Sequence, residues 1–153
     1  RDSSTSRGLG DVYKRQIGCY PFSARQTEIH VHFAGKSVHA MCAIDALAIP
    51  RMVRQAARIT ARCVVCRCHL ACSLAANGSV EKEHQNPEAA RVVWESGAGE
   101  GQACCNSLCV NINFVCRHCT TSPGALIFSL PQAAAMGNAF FSFQRRLLGH
   151  YST

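Results

Sequence analysis

The sequence contains no apolar run approaching the roughly 18 residues that a membrane-spanning helix needs, and this excludes a helical span. It lacks a charged start followed by an apolar stretch and a small-residue cleavage site, so no secretory leader is expected. Lysine is scarce, with 3 Lys against 13 Arg. There is no basic stripe interleaved with aromatics, the footprint by which a nucleic-acid-binding chain is read. The net charge of +7 is instead scattered. Arg51, Arg54, Arg58 and Arg62 fall at helix-like spacing and Arg145–Arg146 close a C-terminal helix, which together read as a solvated basic surface. No internal repeat is present. What the chain has is a hydrophobic content of 48% over 153 residues, enough for one globular core, with 11 Cys and 7 His. An odd cysteine number without a secretory leader argues against a disulfide scaffold. A reducing compartment, the cytoplasm, is expected, where thiols serve as small buried hydrophobes or as ligands for soft metals.

The first sixteen residues stand apart. Asp11-Val12-Tyr13-Lys14-Arg15-Gln16 is the translation of GAT GTG TAT AAG AGA CAG, and Arg1-Asp2-Ser3 is the same DNA in another frame. That DNA resembles a transposon-end adapter used in sequencing libraries. Residues 1–16 are therefore read as an artefactual leader, contributing +2 of the +7, and residues 17–153 as the protein proper, lacking its true N-terminus.

Period-2 alternation predicts a strand over Thr27–Phe33, followed by a turn at Ala34-Gly35-Lys36. Ser37 is placed to cap a helix over Val38–Ile49, with Pro50 near its end. Further strands are predicted at Ala57–Cys63, Leu70–Ala75, Val80–Lys82, Ala90–Trp94, Leu108–Val115 and Ala125–Ser129, and Asn77-Gly78 gives a hairpin signal. Glu95–Gly101 reads as a Gly-rich loop. A last helix opens at Ser129 or Pro131 and runs through Leu148 to Gly149. Strands in the middle and helices on either side make an α+β fold, with a mixed or antiparallel sheet, rather than regular βαβ winding.

Three cysteine groups can carry chemistry. Cys63-x2-Cys66-x-Cys68-His69-x2-Cys72 invites a zinc reading at Cys63/Cys66, with the second ligand pair either Cys68/Cys72 or Cys116-x2-Cys119 beside His118. Otherwise these are incidental thiols. Cys42 and Asp45 lie three residues apart on one helical face, so a thiolate and a proton-carrying carboxyl share a site. Asp45 stands among Ala43, Ile44, Ala46, Leu47 and Ile49, where burial would raise its pKa and suit it to general acid work. The bland reading is a carboxylate paired with one of the arginines. Cys104-Cys105-x3-Cys109 is the third group, and Cys109 is expected on the polar face of its strand, able to point into a cleft.

Three blocks resemble the organomercurial (alkylmercury) lyases. Val38-His39-Ala40-Met41-Cys42-Ala43-Ile44-Asp45-Ala46-Leu47-Ala48-Ile49-Pro50 is similar to that family's W-C-A-L-D-T-L-x-x-P helix. Ala57-Arg58-Ile59-Thr60-Ala61-Arg62-Cys63 is similar to its A-R-V-x-S-x-C strand, and Leu108-Cys109-Val110-Asn111-Ile112-Asn113-Phe114 to its F-C-x-x-V-x-F-F block. Ser129–Leu148 resembles the family's final helix. Met41 stands where Trp is frequent, and Val110 where some members have a second cysteine. The resemblance implies protonolytic cleavage of carbon–mercury bonds to a hydrocarbon and Hg(II). It implies Cys42 and Cys109 as ligands to the substrate's mercury, Asp45 as proton carrier, and no required cofactor. The implied partners are an organomercury–thiol substrate and, as Hg(II) acceptor, low-molecular-weight thiols or mercuric reductase, with no nucleic acid and no membrane. Cys63 falls where the family has a structural cysteine, and the small helical N-terminal domain of many members has no counterpart. Two other readings stay open: a non-enzymatic soft-metal or zinc module using Cys63, Cys66, Cys68, Cys116 and Cys119, and an inactive truncated relic.

Overall fold

The computed structural model describes residues 21–81, 90–96 and 109–151. The leader at residues 1–16, the Cys104–Cys105 pair and most of the Gly-rich loop lie outside the described residues. Side-chain alternation builds a first, five-stranded sheet from β1 (Phe22–Ser23), β2 (His30–Phe33), β3 (Lys36–Ala40), β4 (Ala57–Arg62) and β5 (His69–Leu74). Its order is β1-β3-β2-β4-β5, antiparallel throughout. In β4, Ala57, Ile59 and Ala61 are buried while Arg58 and Arg62 are exposed. The arginines at helix-like spacing therefore form no helical stripe. Arg51 and Arg54 end a helix, and Arg58 and Arg62 sit on the outer side of a strand.

Ala34 and Gly35 both take positive φ, 48° and 71°, which is the backbone of a two-residue type I′ hairpin. Phe33 then pairs with Lys36, and Lys36–Ala40 returns as β3. The helix expected from Val38 is thus a strand up to Ala40, and Ser37 caps nothing. The apolar run Val38–Ile49 spans two elements of different period, and only the hairpin register exposes the break. Helix α1 (Ala43–Val53) begins after Cys42, whose extended backbone (φ −150°, ψ 176°) makes it the N-cap. Residues 43–50 of α1 are all buried, as a helix enclosed on every side requires.

The second sheet comprises β6 (Ala90–Trp94), β7 (Ile112–Cys116) and β8 (Leu126–Ser129), in the order β7-β6-β8, again antiparallel. The single strand expected over Leu108–Val115 is corrected as well. Cys109–Asn111 forms a 3-10 turn and the strand starts at Ile112. The turn is held by Glu95 N–H donating to the Asn111 carbonyl at 2.9 Å and Asn113 Nδ2 donating to the Val110 carbonyl at 3.0 Å. Helix α2 (Leu130–Tyr151) opens with a capping box. Gln132 N–H donates to Ser129 Oγ, and Ser129 N–H donates to Gln132 Oε1. Gly149 does not end this helix, which continues to Tyr151. No helix among the described residues is long and apolar enough to cross a membrane.

Helix α1 is wedged between the first sheet, β7 and α2. The α1–α2 crossing depends on Gly137. A methyl at that position would stand 2.7 Å from the Ile44 carbonyl oxygen and 3.2 Å from the Ala48 side chain, both of them fixed parts of α1. Gly137→Ala is expected to lower unfolding stability by about 1–3 kcal/mol through overpacking, despite alanine's better helix propensity. Urea denaturation measures this, and an unchanged midpoint would show that the helices do not need to approach so closely.

Candidate active site

Asp45 is the one buried charged residue among the described residues, at 5% exposure, and the chain's only aspartate after Asp11. It occupies the first turn of α1. The Cys42 sulfur caps that turn, accepting the Asp45 backbone N–H at 3.4 Å. From the second sheet the 3-10 turn carries Cys109 to the same place, with its thiol donating to Asp45 Oδ2 at 3.8 Å. The ligand atoms of Cys42, Asp45 and Cys109 lie within 4.8 Å of one another, and all three residues are buried. The structure therefore brings together the three residues singled out from the sequence. It does so by a different local route, since Cys42 is a cap rather than a helical residue and Cys109 sits in a turn rather than on the polar face of a strand.

The electrostatics follow from this enclosure. Burial pushes the Asp45 carboxyl up to about 6, against the opposing effect of hydrogen bonds from Cys42 and Cys109. A thiol at a helix N-terminus is ordinarily acidified. Here the hydrogen bond with Cys109, then burial, then the negative charge of Asp45 raise the Cys42 thiol far above its usual value, and the Asp45 N–H only partly offsets them. The free site thus holds protonated sulfur beside a carboxyl that changes charge near neutrality. A small cleft of about 140 Å³ is lined by Met41, the neighbour of Cys42, and by Asn113 on the strand that follows Cys109. Two larger hollows, of about 560 and 670 Å³, lie near the β2–β3 turn and beside Asn77–Val80, and none of the three residues itself lines any of these cavities.

A second group of thiols gathers at the opposite end of β7. Cys63 leaves β4 and Cys66 follows in the turn, while Cys116 ends β7 with Cys119 just beyond it. Their four sulfurs also lie within 4.8 Å of one another. Burial raises Cys63, but the backbone N–H groups of Cys116, Cys66 and Val65 outweigh it and bring this thiol down to about 6. Of the two pairings open from the spacing, the structure forms the one with Cys116/Cys119. Cys72 is buried in β5. Cys68 is exposed at the rim, where its hydrogen bond with Cys66 is the chief cause that pushes it up to about 12. Sequence reasoning missed Arg91, whose Nη2 donates to the carbonyls of Cys116, Arg117 and Cys119 at 3.1–3.3 Å. Nothing in the local pattern of β6 signals that reach.

Two sulfurs and a carboxyl enclosed at a helix N-terminus, on an α+β core, could hold a soft metal ion. The model of the family described as MerB: Alkylmercury lyase matches residues 22–142, and the chain belongs to that family of enzymes, which cleave carbon–mercury bonds. A search of curated proteins returns no match. Among solved structures, the mercury-bound form of MerB2 superposes with a TM-score of 0.64 at 18% identity, covering 94% of this chain and 76% of that one. This likeness establishes the α+β fold.

The raised Asp45 pKa has a stability consequence. The carboxyl holds its proton more tightly folded, at about 6, than unfolded, near 3.8. Its contribution to stability is therefore fully present below about pH 4 and is lost as pH rises through 6. Asp45→Asn keeps the shape without the charge. It is expected to be more stable than the parent by on the order of 2 kcal/mol at pH 8, with little difference at pH 4. Denaturant unfolding at both pH values checks this, and a gap that stays constant with pH would contradict the buried-carboxyl account.

Proposed function

We propose that this chain performs its family's organomercurial-lyase reaction with Cys42 and Cys109 as thiolate ligands of the substrate's mercury and Asp45 as the proton carrier. The observation that carries this reading is the buried Asp45 carboxyl in contact range of two sulfurs that come from opposite sheets. Mercury(II) is soft, so thiolates outcompete oxygen and nitrogen donors for it. An alkyl- or arylmercury bound to a small thiol exchanges that thiol for Cys42, whose proton leaves with the departing sulfur. The Asp45 carboxylate then takes the Cys109 proton, and the freed thiolate becomes the second ligand. Two sulfurs on the metal push electron density onto the bound carbon. The Asp45 carboxylic acid returns its proton to that carbon and the C–Hg bond breaks. Hydrocarbon departs, Hg(II) stays on Cys42 and Cys109, and Asp45 is again a carboxylate.

A carboxyl poised at about 6 can both accept and donate near neutral pH. In this scheme the acid used on carbon comes from a thiol of the site itself rather than from bulk water. The reaction requires no resident cofactor on this reading, and a metal at Cys63/Cys66 would be structural. Two incoming thiols strip the Hg(II), either as low-molecular-weight thiols or on a mercuric reductase. A reducing cytoplasm suits both steps, and the role is mercury detoxification and resistance.

Cys42→Ser and Cys109→Ser are each expected to abolish methane release from methylmercury, with at least a hundredfold loss of rate. Asp45→Asn is expected to capture mercury stoichiometrically yet release no hydrocarbon. Headspace gas analysis beside mercury-binding assays on the same variants decides between outcomes. Full methane production by the Cys109→Ser protein would remove the two-thiolate scheme.

A further inference from the structure

We infer that Cys63, Cys66, Cys116 and Cys119 form a second metal site, a tetrathiolate that holds one structural zinc ion and fastens the two sheets together. The site is separate from the Cys42–Asp45–Cys109 centre and does not depend on the role proposed for that centre. Two C-x2-C turns face each other across the sheet junction, one after β4 and one at the end of β7. A zinc–sulfur bond of about 2.3 Å in a tetrahedron places neighbouring sulfurs about 3.8 Å apart. The Cys63–Cys119 and Cys66–Cys116 sulfurs are 3.8 and 3.7 Å apart, and Cys116–Cys119 is 3.2 Å. The first two match that spacing, and Cys116 and Cys119, within one turn, would open slightly to share the ion. All these separations are far longer than the roughly 2.05 Å of a disulfide.

The backbone is arranged for thiolates. Cys63 sulfur faces the N–H groups of Cys116, at 3.3 Å, and of Cys66 and Val65, while Cys116 sulfur faces the N–H of His118. Each turn therefore aims amide dipoles at its first sulfur, and hydrogen bonds of this kind favour the charged form. Arg67, just after Cys66, takes the left-handed backbone (φ 67°) that closes the first turn, and its N–H donates to the Cys63 carbonyl at 3.0 Å. Four thiols that bind Zn2+ release four protons and leave a net charge of −2. Two guanidinium groups clasp the loops that carry this charge: Arg62 Nη1 donates to the Arg67 carbonyl at 3.1 Å, and Arg91 bridges the three carbonyls of the second turn. Four sulfurs without nitrogen or oxygen select zinc or iron among biological metals, and a closed four-ligand set is structural.

The position gives the ion a task. Val64 N–H donates to the Phe114 carbonyl at 2.9 Å, so the first turn already touches β7. A zinc at this junction fixes one end of β7, and the other end of that strand leads back to Cys109.

The experiment is metal analysis of the full chain purified without chelator from cells grown without mercury. One zinc per chain is expected. Cys66→Ser and Cys119→Ser should reduce it at least tenfold, while Cys42→Ser and Cys68→Ser should retain it. Cobalt(II) titration of the unsubstituted apoprotein reads the same site even if the serine variants fail to fold. Sulfur-to-cobalt charge transfer with intense tetrahedral ligand-field bands, bleached by one equivalent of zinc, is the expected result. Absence of both stoichiometric metal and the tetrahedral cobalt spectrum would overturn the inference. So would iron in place of zinc, or zinc that disappears with Cys42→Ser and survives Cys66→Ser.

Discussion

The Asp45 carboxyl is held out of water at the mouth of a helix, and the surrounding structure is built to make that tolerable. An ionised carboxylate in an apolar interior is costly unless polar partners meet it. Here the helix N-terminus supplies a favourable field, and two sulfurs supply the nearest contacts. The remaining imbalance shows as a carboxyl that prefers its proton up to about pH 6. A group left short of solvation in this way is poor for folding and good for proton transfer. The proposed reaction asks for such a group, because it ends with a proton delivered to carbon.

That placement requires two chain segments, from different sheets, to converge. Cys42 arrives as the cap of α1, directly after the first sheet's β3. Cys109 arrives on a 3-10 turn leading into the second sheet's β7. Helix α1 can lie between the sheets because its residues 43–50, Asp45 excepted, offer apolar surface all round, and because Gly137 lets α2 press against it. The geometry of the site is thus a product of core packing. A small shift of α1 against β7 would separate sulfur from sulfur without altering any residue of the centre.

Eleven cysteines in one small chain raise the question of how different thiols are kept to different tasks. Surroundings settle it. Cys42 and Cys109 face a carboxylate and each other, which holds Cys42 in the neutral thiol form. Cys63 and Cys116 face backbone N–H groups, which favour thiolate. The two sets bracket β7, so one strand links both thiol clusters.

Much of the site was legible in the residues. The Cys42-x2-Asp45 spacing put a thiol and an acid within one turn, and the apolar neighbours of Asp45 foretold its raised pKa. Family resemblance joined Cys109 to them, while the run of strands between two helical segments led to the α+β class. The strand within Thr27–Phe33 was readable because period-2 alternation marks a half-buried strand. The register of the β2–β3 hairpin was not legible, since Val38–Ile49 is apolar apart from His39 and Asp45 and hides where a strand stops and a helix starts. Nor was the turn at Cys109, where an alternating pattern reads as strand until the pairing partner is known. The sequence by itself determined which thiols and which acid were available, because chemistry belongs to residue types. Tertiary structure decided which of them meet, since contacts between residues 42 and 109, or 63 and 119, depend on how two sheets pack around one helix.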